Sequence, residues 1–558
     1  MSQTMVSTPQ PEATEAALDI LRDGGNAVDA AIGAALVQSV IDPQMCGIAG
    51  FGSMHVYRAA SGEHACIDFH GRAPQATRAD MWADRIERET DDGFGFVLRG
   101  RVNEMGHASA TTPLSLRAFD EALRRFGTRG MADVIAPAIA WCEQGFMVRP
   151  AVRAFWLQPA IAGRIARIEA LKACEATRKL YFKPDGSLYE VGEVFRNPDM
   201  GRTYRRIAEH GVDDFYFGEI AHQIDADMRA HGGLLSLADL AACEVQHHQP
   251  LRGSYRGFEV FTNQPPGGGL MILEMLNILE HFDLAAMGHN SARYIATVSE
   301  AMKAATIDKD SRMGDPRFVD IPVDELSGKA YAATLAGRIR AGERLHVPRM
   351  NHGAAESKET THLCVVDGEG NIVNMTHSLG SSNGVVTEGL GFMYNNCMMV
   401  FDPRPGRPGS LAPGKARFSA MCPTMLFRDG EPFLVLGAPG GTTITMGVLQ
   451  AILNVVDFGM SAQEAVSAPR FCTTSDKIEL TNRILHGVER ELQVMGYPTA
   501  RYAVSYMMPM VHAARRNNGR WDGGADPSGD GLAMGLPERS PLSAVSQSIS
   551  ITLGASGV

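Results

Sequence analysis

Apolar residues near the start of the chain recur with helical spacing and predict two consecutive helices. The first covers residues 14–22 and ends at the Asp23-Gly24-Gly25 turn. Asn26 then stands where an N-cap is expected, ahead of a second apolar segment that runs to Leu36. A glycine-rich turn follows and leads into a strand over the residues GSMHVYR.

Helical spacing dominates the middle of the chain, and strand spacing dominates its last third. The stretch 111–340 is mostly helical, but the segment SYRGFEVFTNQPPGGG interrupts it as a strand that ends in a proline- and glycine-rich loop. Strand patterns prevail from Thr361 onward, with a glycine turn at 367–370. The serine-rich tail after Pro537 predicts a loosely ordered end.

Two strands, THLCVV and NIVNMTHS, form a predicted hairpin directly after a polar stretch at 347–359. A two-residue turn at Gly368-Glu369 would place Thr360 opposite His377 and beside Ser378. A register slip would change the exact pair but would keep the two hydroxyl groups close. The alternative is an ordinary hairpin, in which β-branched residues are common. The polar stretch before it predicts an exposed connection that could be cut.

A second glycine-rich turn stands in the segment VLGAPGGTTITMGVLQ. The strand before it ends at Gly437, and Gly440 and Gly441 precede an apolar pattern typical of a helix. Backbone N–H groups at such a turn can stabilise a developing negative oxygen. The alternative is that these glycines serve helix capping and close packing alone.

The hairpin and the glycine turn together fit one reaction. A threonine hydroxyl is a weak nucleophile and needs a base. If the chain is cut before Thr360, the new α-amine of that residue has a pKa close to neutral and can act as the base. The hydroxyl would attack an amide carbonyl, and the glycine turn would stabilise the oxyanion. Water or a second amine would then resolve the acyl-threonine ester.

Composition limits the partners that this chain can have. Its 558 residues suffice for two domains or one large elaborated domain. The net charge of -11 argues against nucleic acid as a partner, although a local pocket can still bind an anionic small molecule. No run of about 18 apolar residues predicts a membrane span. We found no motif that predicts a metal or an organic cofactor, so we expect neither.

The cysteines and the N-terminal residues bear on the compartment. The nine cysteines are odd in number and include no C-x-x-C pair, which indicates buried thiols rather than a disulfide framework. The first residues lack a basic start followed by an apolar core, so no signal peptide is predicted. A cytoplasmic location is therefore expected, with the periplasm left open.

The segment TTHLCVVDGEGNIVNMTHS resembles the γ-glutamyltranspeptidase family of N-terminal nucleophile hydrolases. Further segments resemble the same family in order and spacing over nearly the whole chain; they are GGNAVDAAIGAALVQSVIDPQMCGIAGFG, IDFHGRAP, YRGFEVFTNQPPGGG, LNILEHFDL, SRMGDPRF, FSAMCPT, GAPGG and AVSAPRF. The resemblance implies a mixed α/β fold of four αββα layers. It also implies a precursor that cuts itself between Glu359 and Thr360. The products would be a large subunit, 1–359, and a small subunit, 360–558, forming a heterodimer.

The resemblance assigns catalytic roles by position. Thr360 corresponds to the family nucleophile and Thr361 to its neighbour. Ser378 corresponds to a hydroxyl that hydrogen-bonds the nucleophile. Gly440 and Gly441 correspond to the pair that forms the oxyanion hole.

Residues that would hold the substrate carboxylate match the family only in part. Ser419 falls where the family uses a serine against the α-carboxylate, but Ala420 replaces the second serine of that pair. His70 stands where the transpeptidases have an arginine after IDF, and Arg72 follows two residues later. His70 or Arg72 could still hold a carboxylate.

The residues at the positions that bind the substrate ammonium differ even more from those of the family. Cys397 replaces a glutamine, Gly380 replaces an asparagine, and Val400 replaces the aspartate that pairs with the glutamyl α-ammonium in the family. A pocket without that aspartate should not require an α-amino group, because the charge would stay unpaired. The expected acyl group is therefore glutaryl-like.

The resemblance thus implies a glutaryl-7-aminocephalosporanic acid acylase that retains some γ-glutamyltransferase activity. A small-molecule amide is the substrate, and water or an amine is the acceptor. Alternatives within the family are a true γ-glutamyltransferase or glutathione hydrolase and a hydrolase of small amides such as oxamate. A non-catalytic binding protein of the same fold would stay uncut, and a metal-dependent hydrolase would lose activity with a chelator.

Overall fold

Most of the chain folds into regular elements. The structure, a computed structural model, describes residues 2–91, 93, 95–161, 163–348, 360–506 and 509–537. The strands in these residues are β1 (Met5–Thr8), β2 (Phe51–Arg58), β3 (Glu63–Phe69), β4 (Ile86–Glu89), β5 (Phe96–Leu98), β6 (Phe146–Met147), β7 (Val194–Phe195), β8 (Gln246–His248), β9 (Leu251–Tyr255), β10 (Phe258–Thr262), β11 (Thr361–Val366), β12 (Ile372–Ser378), β13 (Thr424–Arg428), β14 (Glu431–Gly437), β15 (Phe471–Cys472), β16 (Ile478–Leu480), β17 (Thr499–Arg501), β18 (His512–Asn517), β19 (Arg520–Gly524) and β20 (Leu532–Met534).

Most of the α-helices lie between β3 and β11 in the sequence. They are α1 (Pro11–Arg22), α2 (Ala27–Ile41), α3 (Ser115–Phe126), α4 (Met131–Val134), α5 (Ala136–Gln144), α6 (Pro150–Trp156), α7 (Arg167–Ala173), α8 (Glu175–Tyr181), α9 (Pro198–His210), α10 (Asp213–Tyr216), α11 (Glu219–Ala230), α12 (Leu237–Ala241), α13 (Gly269–Leu279), α14 (Leu284–Met287), α15 (Ala292–Arg312), α16 (Val323–Leu326), α17 (Lys329–Arg340), α18 (Ile444–Val456), α19 (Ala462–Ser467) and α20 (His486–Val494). None of these helices is long and apolar enough to cross a membrane.

Two large antiparallel sheets contain most of the strands. The first has seven strands in the order β20-β1-β11-β12-β2-β3-β8, and the second has six in the order β19-β18-β14-β13-β10-β9. Strands β11 and β12 follow position 360, whereas their neighbours β1 and β2 precede it. Both parts of the sequence therefore contribute to one sheet, and the same holds for the second sheet, in which β10 pairs with β13.

The two sheets pack face to face between two layers of helices. Successive side chains of a strand point to opposite faces of its sheet. Leu363 and Val365 of β11 pack in a core with α1 and α2, whereas Cys364 contacts the other sheet. In the second sheet Leu434 packs in a core with α13, α15 and α18, whereas Val435 faces the first sheet. The predicted mixed α/β fold is confirmed.

The start of the chain follows the prediction. Asn26 accepts hydrogen bonds from the N–H groups of Val28 and Asp29, and the Asp29 carboxylate accepts the N–H of Asn26. This reciprocal pair is a capping box. Every residue of α2 is buried, because the helix lies between α1 and the strands β11 and β12.

Two hairpins differ from the prediction because their turns differ. The segment predicted as one strand is the hairpin β9–β10, in which Arg256 and Gly257 both adopt positive φ. In the hairpin β11–β12, Thr361 lies opposite His377, so the predicted pairing of Thr360 with His377 is wrong by one residue. The cause is a third turn residue, Gly370, at φ +86°.

A buried polar network connects α2 to the first sheet. The Gln38 amide donates to Thr361 Oγ1 at 3.0 Å and to Gln10 Oε1 at 2.7 Å, and its oxygen accepts from His377 Nε2 at 2.9 Å. Burial lowers the pKa of His377 to about 3, so this imidazole is neutral and carries its proton on Nε2. Gln38 thus satisfies polar groups from two strands and one loop.

Replacement of Gln38 should destabilise the fold, because it leaves these buried polar groups without partners. We expect Gln38→Met to lower the free energy of unfolding by roughly 2–4 kcal/mol. Thermal and urea unfolding followed by circular dichroism would measure the loss. Gln493→Met, at an exposed position near the end of α20, is the matched control and should stay close to the parent protein. Equal stability of the two variants would contradict the role given to Gln38.

Candidate active site

Thr360 lies directly before β11 and is only 4 % exposed. Its hydroxyl donates a hydrogen bond to Ser378 Oγ at 3.1 Å. Ser378 is the last residue of β12 and also accepts the N–H of Gly380 at 2.8 Å. The pairing of β11 with β12 therefore brings the two predicted hydroxyl groups together.

Thr361 points away from Thr360. Its hydroxyl lies in the polar network beneath α2, where it accepts from Gln38. Alternation along the strand sends neighbouring side chains to opposite faces, so Thr361 cannot share a pocket with Thr360. The side chains of Thr360 and Thr361 thus point to opposite faces of the sheet.

A small cavity opens beside Thr360. Its lining includes most of the predicted substrate and glycine positions. The lining residues are Arg164, Thr360, Gly380, Ser381, Asn396, Cys397, Met399, Val400, Arg417, Ser419, Ala420, Met421, Gly440, Gly441, Thr442 and Ile444.

Gly440 and Gly441 form the turn that leads toward α18. Both have positive φ, +146° and +57°, which favours glycine. A Cβ on Gly440 would also come within 2.6 Å of Pro509. Thr443 Oγ1 donates to the carbonyl of Gly440 at 2.8 Å and fixes the turn. Gly440 and Gly441 both line the cavity, and the 13-residue helix α18 begins shortly after them.

His70 and Arg72 do not line this cavity. His70 is buried and donates from Nδ1 to the Asp68 carboxylate at 2.8 Å. Arg72 donates from Nη2 to the carbonyl of Glu244 at 3.1 Å. The structure therefore places neither residue with Thr360.

Two arginines that the sequence analysis missed line the cavity instead. Arg164 is 3 % exposed and Arg417 is 6 % exposed. The Arg417 guanidinium lies 4.6 Å from the centre of the Phe51 ring. Burial lowers the pKa of Arg417, and the nearby charge of Arg164 lowers this pKa further. No Asp or Glu occurs among the described lining residues, and the two arginines give this described part of the wall a positive charge.

One of these arginines had a signal in the sequence. Arg417 stands two residues before Ser419, and residues two apart in an extended segment share a side. Arg164 had no such signal. It lies in an irregular segment between α6 and α7, far in sequence from Thr360, and only folding brings it to the cavity.

The remaining predicted positions make one part of the wall weakly polar. Burial raises the pKa of the Cys397 thiol to about 11, so this side chain is neutral at pH 7. Val400 adds an apolar surface to the same cavity. Gly380 has φ +69°, and a Cβ there would come within 2.6 Å of Asn396 Oδ1. Among the described residues, the wall near Cys397 thus contains no anionic side chain that could pair with a cation.

Comparisons with known proteins identify the family of this chain. A sequence profile of the family described as gamma-glutamyltranspeptidase matches residues 13–536. The Acylase ACY 1 proenzyme of Pseudomonas sp. strain SE83 is 37 % identical over 509 residues, which cover 90 % of this chain and 88 % of the acylase. The glutathione hydrolase proenzyme of Escherichia coli K12 is 34 % identical over 485 residues, which cover 84 % and 80 %.

A solved structure extends the likeness to the whole fold. The crystal structure of a cephalosporin acylase from Bacillus halodurans superposes with a TM-score of 0.85 at 28 % identity, covering 96 % of each chain. The profile match, the two relatives and this structure agree with the resemblance predicted from the sequence. The chain therefore belongs to the gamma-glutamyltranspeptidase family, whose members are amide-cleaving and acyl-transferring enzymes.

Proposed function

We propose that the chain is a proenzyme that cuts its own backbone between Glu359 and Thr360. Glu359 lies outside the described residues, as do positions 349–358 of the predicted connection. Support comes from Thr360, whose hydroxyl is hydrogen-bonded to Ser378 next to the cavity. The names of the Pseudomonas and Escherichia coli relatives, both proenzymes, support the same reading.

The cut would follow from the chemistry of Thr360. Its hydroxyl attacks the carbonyl carbon of Glu359, and the peptide nitrogen of Thr360 leaves as an amine, which converts the amide to an ester. Water then hydrolyses the ester and frees the hydroxyl. The products are a large subunit, 1–359, and a small subunit, 360–558. They stay together as a heterodimer because β11 and β12 lie between β1 and β2 in one sheet.

The mature enzyme would use the new α-amine of Thr360 as its general base. The amine takes the hydroxyl proton while the oxygen attacks the substrate amide carbon. The N–H groups of Gly440 and Gly441 stabilise the oxyanion. The protonated amine then gives its proton to the leaving nitrogen. Water, or an acceptor amine, attacks the acyl-Thr360 ester and releases the product.

The proposal for the acyl group of the substrate rests on the positive charge in the cavity beside Thr360. Arg417 and Arg164 lie in the same cavity as Thr360, and the described lining residues include no Asp or Glu. A guanidinium stays charged at neutral pH and binds a carboxylate through paired hydrogen bonds. An acyl chain with a distal carboxylate and no ammonium, such as glutaryl, fits this charge. Arg417 and Arg164, rather than His70 and Arg72, would hold that carboxylate.

The proposed reaction is hydrolysis of glutaryl-7-aminocephalosporanic acid, with γ-glutamyl transfer as a weaker activity. The acylase from Pseudomonas and the cephalosporin acylase structure support this choice of leaving group. A glutathione hydrolase is the second candidate, because the Escherichia coli relative bears that name and Ser419 lines the cavity. Val400 disfavours it, since an α-ammonium there would meet an apolar side chain.

Self-cleavage is tested by mass spectrometry of the purified protein under denaturing conditions. We expect the parent chain to yield two fragments, the smaller beginning at Thr360 and containing 199 residues (558 − 359). Thr360→Ala should stay intact at 60.1 kDa, because it has no nucleophile. Thr360→Ser keeps a hydroxyl and is the control that should still be cut. Cleavage of the alanine variant at the same bond would disprove the assignment.

The carboxylate subsite is tested with Arg417→Met. We expect kcat/KM for glutaryl-4-nitroanilide to fall roughly 10- to 100-fold, because a charged hydrogen bond is lost. Pentanoyl-4-nitroanilide has the same chain length without the carboxylate, and its kcat/KM should change little. Arg72→Met, outside the cavity, is the matched control, and cleavage of each variant is verified first. An equal loss on both anilides would remove Arg417 from the subsite.

The ammonium subsite is tested with Val400→Asp. We expect the ratio of γ-glutamyl- to glutaryl-4-nitroanilide hydrolysis to rise by roughly tenfold or more, because the α-ammonium gains an anionic partner. Val400→Asn has nearly the same shape without the charge and should leave the ratio near the parent value. If both variants behave alike, Val400 does not set the preference for the acyl group.

A further inference from the structure

Three side chains that commonly bind metals converge away from the Thr360 cavity. They are His107, Asp227 and His231, and one donor atom of each lies within 4.8 Å of the other two. His107 Nε2 lies 3.3 Å from Asp227 Oδ2, and His231 Nδ1 lies 2.9 Å from Asp227 Oδ1. None of the three lines the cavity beside Thr360. We propose that they form a structural binding site for a divalent transition metal, Zn²⁺ in particular.

The fold brings the donors together from two elements. Asp227 and His231 are four residues apart at the C-terminal end of α11, so they share one face of the helix. His107 comes from a short 3₁₀ turn, His107–Ser109. The two imidazole rings stack with their centres 4.6 Å apart and an angle of 16° between their planes. The two rings thus lie side by side next to the Asp227 carboxylate.

The Asp227 carboxylate is oriented by further hydrogen bonds. Thr387 Oγ1 donates to Asp227 Oδ2 at 2.6 Å, and Tyr394 lies in hydrogen-bonding contact with Thr387 Oγ1 at 2.7 Å. Partners of this kind fix a carboxylate ligand and are typical of metal sites. Two imidazoles lie against this carboxylate, His107 Nε2 at Oδ2 and His231 Nδ1 at Oδ1. His231 Nδ1 also lies 3.0 Å from the Asp227 backbone carbonyl.

The donor set selects the class of metal. Two imidazole nitrogens and one carboxylate oxygen suit Zn²⁺, whereas Mg²⁺ and Ca²⁺ prefer oxygen donors. Ligands at about 2.0–2.2 Å from Zn²⁺ lie roughly 3.5 Å from each other, so the cluster must contract by about 1 Å. The His231 side chain is 57 % exposed and can rotate to do so. The same exposure provides an entry path and leaves a coordination position for water.

Metal bound here would act on stability rather than on catalysis. It would join α11 to the turn at His107. Through Thr387, the site also contacts the part of the chain that follows Thr360. The metal would therefore strengthen the contact between the two proposed subunits, whatever substrate the enzyme cleaves.

The test measures Zn²⁺ binding to the full-length, tag-free protein after removal of metals with EDTA and dialysis. We expect isothermal titration with ZnCl₂ to show about one equivalent bound. His231→Ala should weaken binding roughly 10- to 100-fold, because a ligand is lost. His222→Ala is the matched control, an exposed histidine on the same helix, and should bind like the parent protein.

Thermal unfolding and Co²⁺ absorption provide independent readouts. Zn²⁺ should raise the Tm of the parent and of His222→Ala, but not that of His231→Ala. Co²⁺ should give the visible bands of a low-coordinate site in the first two proteins alone. Equal Zn²⁺ affinity in all three proteins, or no change of Tm in the parent, would overturn the proposal. None of these readouts depends on cleavage at Thr360 or on turnover.

Discussion

Burial of one hairpin on both faces is the constraint on which the rest of this structure depends. Every residue of β11 and β12 is buried, with helices on one side and the second sheet on the other. A slip of one residue would exchange the side chains of the two faces and break the buried hydrogen bonds that join Thr361 and His377 to Gln38. The register is therefore fixed, and with it the distance between Thr360 and Ser378. The sheet thus holds the two hydroxyl groups in a fixed relative position, as the proposed reaction requires.

In the function proposed above, the charge of the cavity wall sets the preference for the acyl group. The reacting groups of an acyl transfer are a hydroxyl, an amine and backbone N–H groups, and these carry no preference for the distal end of a substrate. A preference for the distal end of the acyl group would come from the residues that line the cavity beside Thr360. Here Arg164 and Arg417 supply positive charge, and Val400 and Cys397 supply neutral surface where an ammonium would need an anion. Such a wall would select against a substrate with an α-ammonium group, because that charge would be buried without an anionic partner.

Interleaved strands make the site depend on both parts of the sequence. Arg164 comes from the residues before position 359, and Thr360, Arg417 and Gly440 come from those after it. Each sheet also contains strands from both parts, and in the first sheet β11 and β12 lie between β1 and β2. Two chains made by one cut would thus keep the pairing that they had before it, because the hydrogen bonds between strands do not depend on the peptide bond at the cut. The Thr387–Asp227 contact adds another link across the same division.

The sequence by itself determined the elements and the local chemistry. Asn26 as a cap, the hairpin strands, the glycine turn at Gly440 and the placement of Thr360 beside Ser378 all depend on residues close together in sequence or on the family resemblance. The register failed by one residue because Gly370 can enter a turn in ways that a pattern does not distinguish. The tertiary structure alone decided that Arg164 and Arg417 line the cavity, and that His70 and Arg72 do not. Arg164 reaches the cavity across 196 residues (360 − 164), and no local spacing encodes that approach. Arg417 was indicated only by its spacing from Ser419, and folding decided that both residues line the cavity.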